Sequence, residues 1–256
     1  HHIIVDGESM TVLCKELNEL YMGRELKETI QYGEFAVTDT YTEENEKYWL
    51  NIFSNETAEL ELPTDYQRQE KQTFAGTQIS ENIDIKTHKE IVEKCKKLNI
   101  TPYVFYMACY NILLSKFSGN EDICVGMPTS GRKSKFLNTV GMFVNTLPIK
   151  FNLRRELSVG DNLRNITSTL FKVYRHQRFN YSECLDLLRD EYNYSGALFD
   201  VSLNYQKMEY LTVGDDYIWH PCSTSTDVLW LDVQDSGDGI TLHYNYSKEA
   251  LSADGI

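Results

Sequence analysis

His1-His2-Ile3-Ile4-Val5-Asp6-Gly7 opens the chain, and the rest is organised around it. Two histidines, an apolar spacer, a carboxylate and a glycine are the parts of a proton-handling site. Histidine is the side chain whose unperturbed pKa lies nearest neutral pH. Asp6 stands where a carboxylate fixes backbone and ring geometry, directly or by pairing with an arginine from elsewhere. Glycine permits a tight turn and lets a ligand approach the backbone. The run Ile3-Ile4-Val5 predicts a site sunk into a core, where water is scarce. A bare histidine pair is also what a purification tag leaves, but the Ile-Ile-Val-Asp-Gly that follows counts against that origin.

Composition narrows the class. A chain of 256 residues suffices for one large or two small domains with a real core. Hydrophobic residues make up 41% and aromatic residues 12%, as in a folded globular protein. The formal net charge of −13 repels phosphate backbones, so nucleic acid and anionic membranes are poor partners. No run of about 18 apolar residues predicts a membrane-spanning helix. No basic region followed by an apolar one marks a signal peptide. Cys14, Cys95, Cys109, Cys124, Cys184 and Cys222 are scattered without a Cys-x-x-Cys pair, which predicts buried free thiols in a reducing cytoplasm. His220-Pro221-Cys222 is the one close His/Cys pair and has no further ligand at metal spacing, so no metal is expected. The chain begins on its signature and not on methionine, which predicts a fragment of something longer.

The pattern then alternates. Met10, Leu13, Leu17 and Leu20 recur at helical spacing over Glu8 to about Met22, with the His2 loop at the helix start. Backbone N–H groups at such a start favour negative charge, an oxyanion or an ordinary cap. Gly23 to Asp39 is a connection. Thr42 to Phe53 is a helix whose Tyr48, Trp49, Ile52 and Phe53 form a core stripe, and Thr73 to Ile83 is a strand. Thr87-His88-Lys89-Glu90 has the form of a capping box, with His88 exposed in the first turn of a helix to Leu98. Thr101-Pro102 opens a buried helix to about Phe117. Asp122 to Met127 is a buried strand, so helices and strands form α/β layers. Pro128-Thr129-Ser130-Gly131-Arg132 is a small-residue turn that leaves an arginine at a strand end. Val140-Gly141-Met142-Phe143-Val144-Asn145-Thr146-Leu147-Pro148-Ile149-Lys150 is an apolar strand with polar groups at Asn145-Thr146 that need partners. Ser158 to about Arg178 is a long amphipathic helix, and His176 in it has a structural role. Val201–Tyr205 leads a strand into Gln206. Val228–Val233 and Ile240–Tyr246 pair through the turn Asp235-Ser236-Gly237-Asp238-Gly239, with His243 a plain strand residue.

The opening heptad resembles the His-His-x-x-x-Asp-Gly signature of the condensation domains of nonribosomal peptide synthetases. Val140–Thr146 matches every fixed position of that family's Val-Gly-x-Phe-Val-Asn-Thr motif, and this stretch also favours condensation over epimerisation domains. Ser130-Gly131-Arg132 is similar to a Ser-Gly-Arg near the family's tunnel. Looser likenesses cover Tyr32–Val37, where Glu34 and Phe35 replace Asp and Tyr; His176–Phe179, which lacks the Asp and Pro; and Ser195–Val201, where Gly196-Ala197 stand for Asn-Pro.

The resemblance implies a chloramphenicol acetyltransferase-like α/β fold of two lobes with a tunnel between them. Residues 1–39 would be the C-terminal end of the first lobe, carrying the active-site loop, and residues 40–256 most of the second. The first lobe's early motifs, including the arginine that partners the aspartate in many members, would precede residue 1. The implied reaction is peptide-bond formation between two carrier-bound thioesters. His2 would be catalytic, supported by His1, Asp6 and Gly7, with Ser130, Arg132, Asn145 and Gln206 near the tunnel. No cofactor would bind directly, because phosphopantetheine arms of upstream and downstream carrier domains bring the substrates, beside an adenylation domain. A fragment without its first lobe would be inactive alone. The alternatives are a stand-alone CoA-dependent acyltransferase of the same fold, whose plant-type Asp-Phe-Gly-Trp-Gly motif is absent here, and a non-catalytic module that docks carrier proteins. Val213-Gly214-Asp215-Asp216 does not substitute for that motif.

Overall fold

The computed structural model describes residues 1–37, 42–54, 62–67, 72–178, 181–192, 196–208, 221 and 223–256. Asp39, Phe179, Ser195, Val213–Asp216, His220 and Cys222 lie outside the described residues.

The helix after the heptad, α1, runs Gly7–Tyr21. The connection that follows contains a short helix, α2 (Tyr32–Ala36), and α3 covers Glu43–Phe53 behind a Thr42 cap. Strand β1 (Gly76–Ile83) starts later than expected. Helix α4 (Ile85–Leu98) starts earlier, because Asp84 and not Thr87 is its cap: the Asp84 carboxylate accepts from the N–H groups of Lys86 and Thr87. This shift turns His88 inward. The ring is 6% exposed, and its Nε2 lies 3.5 Å from Asp235 Oδ1, which corrects its reading as an exposed residue.

Thr101 caps α5 (Pro102–Ser118), and Gly119 closes it in the left-handed conformation. Strand β2 spans Asp122–Thr129, so Pro128 and Thr129 extend the strand rather than begin the turn. Strand β3 begins only at Asn145 and ends at Asn152. Val140–Val144, expected as strand, is loop, because the N–H groups of Gly141 and Phe143 bond to side chains of α1 and its cap instead of a neighbouring strand. Helix α6 (Val159–Arg175) is capped by Ser158 and ends at His176. A helix not read from the sequence, α7 (Tyr181–Tyr192), precedes β4 (Val201–Lys207), β5 (Leu229–Asp235) and β6 (Ile240–Ser247).

The strands form one sheet in the order β1-β6-β5-β4-β2-β3, with β4 parallel to β2 and β5 and the other pairs antiparallel. Side chains alternate across it. On one face Tyr106 of α5 stacks 6.0 Å from Tyr205, and Tyr110 Oη donates to the Leu229 carbonyl at 3.1 Å. On the other face a Cβ at Gly126 would overlap Phe199 and Ser202, so the glycine lets Phe199 lie against the strand. Trp49 and Phe53 are buried as expected, at 0% and 2% exposure. His176 is structural: its ring stacks 3.9 Å from Tyr48, and its carbonyl accepts from Trp49 Nε1 at 2.9 Å. His243 sits within β6 with Nδ1 2.7 Å from Ser80 Oγ. No described helix is long and apolar enough to cross a membrane.

Candidate active site

Strand polarity gathers the site. The end of β2 and the start of β3 lie at one end of the sheet, and β4, parallel to β2, delivers Gln206 to that same end. The loop between β2 and β3 reaches from there to the start of α1.

Asp6 is the joint. It is 2% exposed and caps α1, its Oδ1 accepting from Ser9 N–H at 2.8 Å. Phe143 N–H donates to Oδ2 at 3.0 Å. Arg132 Nη2 donates to Oδ1 at 2.6 Å. The resemblance placed the partner arginine before residue 1; here Arg132 of this same chain takes that place, its side chain only 1% exposed. Its other nitrogen, Nη1, donates to the carbonyls of Phe136 and Thr139 at 3.0 and 2.6 Å, and the guanidinium lies 4.1 Å from the centre of the Phe143 ring. Nε stands 3.0 Å from Glu8 Oε2 without hydrogen-bond alignment, an ion pair only. Burial alone would raise the Asp6 pKa; hydrogen bonds from Ser9, Arg132 and Phe143 outweigh it and hold the carboxyl below its usual range.

From the sequence Ser9 reads as a residue that caps or enters the first helix; the cap is Asp6, and Ser9 lies in the first turn. It is fully buried, and its hydroxyl oxygen accepts from Arg132 Nη2 at 2.7 Å and from Gly141 N–H at 3.0 Å. Its own proton points at Asp6 Oδ1 or the Gly141 carbonyl, each 2.8 Å away. The only sequence signal was a small hydroxyl residue in the first turn of a helix, which is ordinary.

Tyr32–Phe35 hold the loop from beneath. The Tyr32 ring meets Phe143 edge-on at 5.0 Å, and its hydroxyl donates to the Met142 carbonyl at 2.6 Å. Phe35 lies 4.6 Å from Phe143 and 5.5 Å from Phe136. These aromatics pack. Two glycines are required by the fit: Gly131, at φ +62° with the Phe143 carbonyl where a Cβ would go, and Gly141, against the Tyr32 ring.

The catalytic candidates stand above this joint. His1 and His2 are exposed, and the His2 ring makes no hydrogen bond among the described residues. Ile3 N–H donates to His1 Nδ1 at 3.2 Å. Ile3 and Ile4 are 74% and 65% exposed, so within this chain the loop is not sunk into a core; only its Asp6 end is. Gly7 has ordinary helical backbone, and a Cβ there would meet nothing within 4 Å, so no turn in this chain requires it. Ser130 is exposed and accepts from Arg132 N–H at 3.3 Å, and the Asn145 carbonyl accepts from Thr129 Oγ1 at 3.1 Å. Gln206 is exposed at the end of β4. The structure thus ties Asp6, Arg132 and Ser130 into one unit and brings Asn145 and Gln206 to the same end of the sheet.

Known proteins resemble this chain over most of its length. The family model described as the condensation domain matches residues 1–249. Bacitracin synthase 3 of Bacillus licheniformis is 33% identical over 269 residues, 97% of this chain and 4% of its own length. Gramicidin S synthase 2 of Brevibacillus brevis is 36% identical over 217 residues, 81% of this chain and 5% of its own. The chain therefore spans only 4–5% of the length of these relatives. The solved condensation domain of the Monacolin K polyketide synthase MokA superposes with a TM-score of 0.83 at 18% identity, over 100% of this chain and 64% of that one. A four-domain nonribosomal peptide synthetase bound to AMP and glycine gives 0.83 at 16% identity, over 99% of this chain and 22% of that one. The fold is the chloramphenicol acetyltransferase-like α/β fold that these neighbours share. The match over nearly the whole length, with a synthetase one-third identical across it, places the chain in the condensation domain family.

Proposed function

We propose that this chain carries the reaction loop of a condensation domain that forms a peptide bond between two carrier-bound substrates in a nonribosomal peptide synthetase. The observation that carries the reading is the joint at Asp6: a buried carboxylate, arginine and serine fix the loop, while the His2 ring beyond it stays free to meet a substrate.

In this reading the acceptor's α-amine attacks the donor thioester carbonyl. A C–N bond forms, the C–S bond breaks, and the donor's thiol leaves. His2 accepts the proton that the amine sheds and returns it to the departing sulfur, or orients the amine for attack. Holding amine and thioester together supplies a large part of the rate. His1 supports the loop. Gly7 leaves room for the acceptor beside His2, which fits the open space where its Cβ would be. Ser130, Asn145 and Gln206 line the approach, while Arg132 acts through Asp6.

Residues 1–39 end a first lobe and residues 40–256 form the second. In support, Met10, Leu13, Leu17 and Leu20 leave α1 with an apolar stripe 46%, 39%, 70% and 54% exposed. Such a stripe marks an unfilled interface. The MokA condensation domain has a further third of chain with no counterpart here. Substrates arrive on phosphopantetheine arms of carrier domains flanked by an adenylation domain, in the cytoplasm; the synthetases among the relatives and the scattered cysteines support this setting.

The test supplies the domain, with a first lobe restored, with two carriers loaded with aminoacyl-pantetheine, and follows dipeptidyl thioester by intact mass. Dipeptide is expected. Acyl transfer from CoA with no dipeptide would instead show the stand-alone acyltransferase, and carrier binding with neither product would show a docking module.

A further inference from the structure

The end of the sheet opposite His2 carries a groove that peptide-bond formation does not use. It lies between the C-terminal half of α5, the loop after β3 and the N-terminal half of α6, and encloses about 210 Å³. The eight residues of β3 separate that loop from Asn145, roughly 24 Å at the rise of an antiparallel strand.

Its lining is mostly apolar: Leu153, Leu163 and Ile166 are buried at its floor, with Ile112, Leu157 and Val159 above them. Val159 and Ile112 are 70% and 39% exposed, so apolar surface continues onto the rim. Its walls carry Lys116, Arg154 and Arg155 and no carboxylate, in a chain whose net charge is −13. Arg155 Nε lies 3.4 Å from Glu121 and Arg154 Nη1 3.7 Å from Glu156, with the arginines 62% and 58% exposed. Pairs so long and so exposed are worth little and yield readily to a better anion. Lys116 makes no ion pair among the described residues. Ser115, 5% exposed, also lines the groove, and its hydroxyl makes no hydrogen bond among the described residues. A hydroxyl that reaches the groove surface with no protein partner among the described residues is a ready contact for a polar head.

We propose that this groove binds a medium-chain aliphatic carboxylate, its tail on the Leu163–Ile166 floor and its head on Lys116, the two arginines and Ser115. An engineered cavity of about 150 Å³ takes up benzene, so the space here admits a tail of about eight carbons. A short anion leaves the floor wet, and a neutral chain leaves the cations unused. The proposal does not depend on the condensation reading, since neither His2 nor the Asp6 joint touches the groove.

Calorimetric titration of the 256-residue chain with octanoate, 1-octanol and acetate tests it. Octanoate should saturate at one per chain, octanol should bind about fivefold more weakly, the size of an exposed charge contact, and acetate should not saturate. The triple substitution Lys116→Ala/Arg154→Ala/Arg155→Ala should bring octanoate down to the octanol affinity without moving octanol. Val159→Trp, at an exposed rim position, should fill the groove and abolish both while thermal unfolding stays that of wild type. Equal affinity for octanoate and octanol, unchanged binding in Val159→Trp, or no saturable binding of octanoate would each overturn it.

Discussion

Replacing Arg132 by methionine removes the cation from a carboxylate that has nowhere else to turn. Asp6 is 2% exposed and the Arg132 side chain 1%, so no water replaces the lost partner. Removing one member of a buried pair costs about 3–5 kcal/mol. The carbonyls of Phe136 and Thr139 lose their donors at the same stroke. A domain commands about 5–15 kcal/mol in total, so a large share of the stability goes. For a chain of this size the melting temperature should fall by about 6–10 °C, at about 2 °C per kcal/mol. Urea unfolding followed by Trp fluorescence measures this, Trp49 being fully buried. Asp6→Asn keeps the helix cap and removes the charge, so Arg132→Met should cost far less in that background. Arg132→Lys keeps the charge without the planar fork and should fall between wild type and Arg132→Met. A cost below about 1 kcal/mol for Arg132→Met, or additivity with Asp6→Asn within about 0.5 kcal/mol, would refute the joint as the element that fixes the loop.

Two further outcomes follow from the same geometry. Gly141→Ala drives a methyl into the Tyr32 ring and breaks its hydrogen bond to Met142; about 1–3 kcal/mol should be lost in urea unfolding, and Tyr32→Ala should relieve most of it. Acid should loosen the joint: the Asp6 pKa is lowered by folding, so its stabilisation is complete above its unfolded value of about 3.9 and lost as pH falls through the lower folded value. Asp227 and Asp232, raised by burial, act oppositely and gain stability as pH falls, so the difference between wild-type and Asp6→Asn stability curves isolates the Asp6 part, which should fade as pH falls through the lowered folded value.

What the sequence showed plainly was local. Thr101-Pro102 starts α5 where expected, because cap and proline act within one turn. The hairpin between β5 and β6 likewise follows from its own turn residues. The His88 miss was a competition between two local signals, Asp84 and Thr87, three residues apart; the carboxylate won, and the ring rotated into the core. Cys184, Leu185 and Leu188 did carry the helical period of α7, so that miss was an oversight of pattern. The joint was different in kind. Asp6 and Arg132 are 126 positions apart, and nothing near either names the other. Val140–Val144 looked like strand because its side chains are apolar, but its N–H groups are claimed by Ser9 and Asp6, side chains that only the fold brings there.

The most direct measurement is the single-turnover rate of dipeptidyl thioester formation in the restored two-lobe domain, wild type beside His2→Ala, with melting temperatures in parallel. His2 is exposed and bonded to nothing among the described residues, so its loss should leave stability within about 0.5 kcal/mol. The rate should fall by about 10²–10⁴-fold, the usual range for a positioned acid–base group. A rate within twofold of wild type, with both carriers loaded, would contradict the assignment of His2 to the reaction.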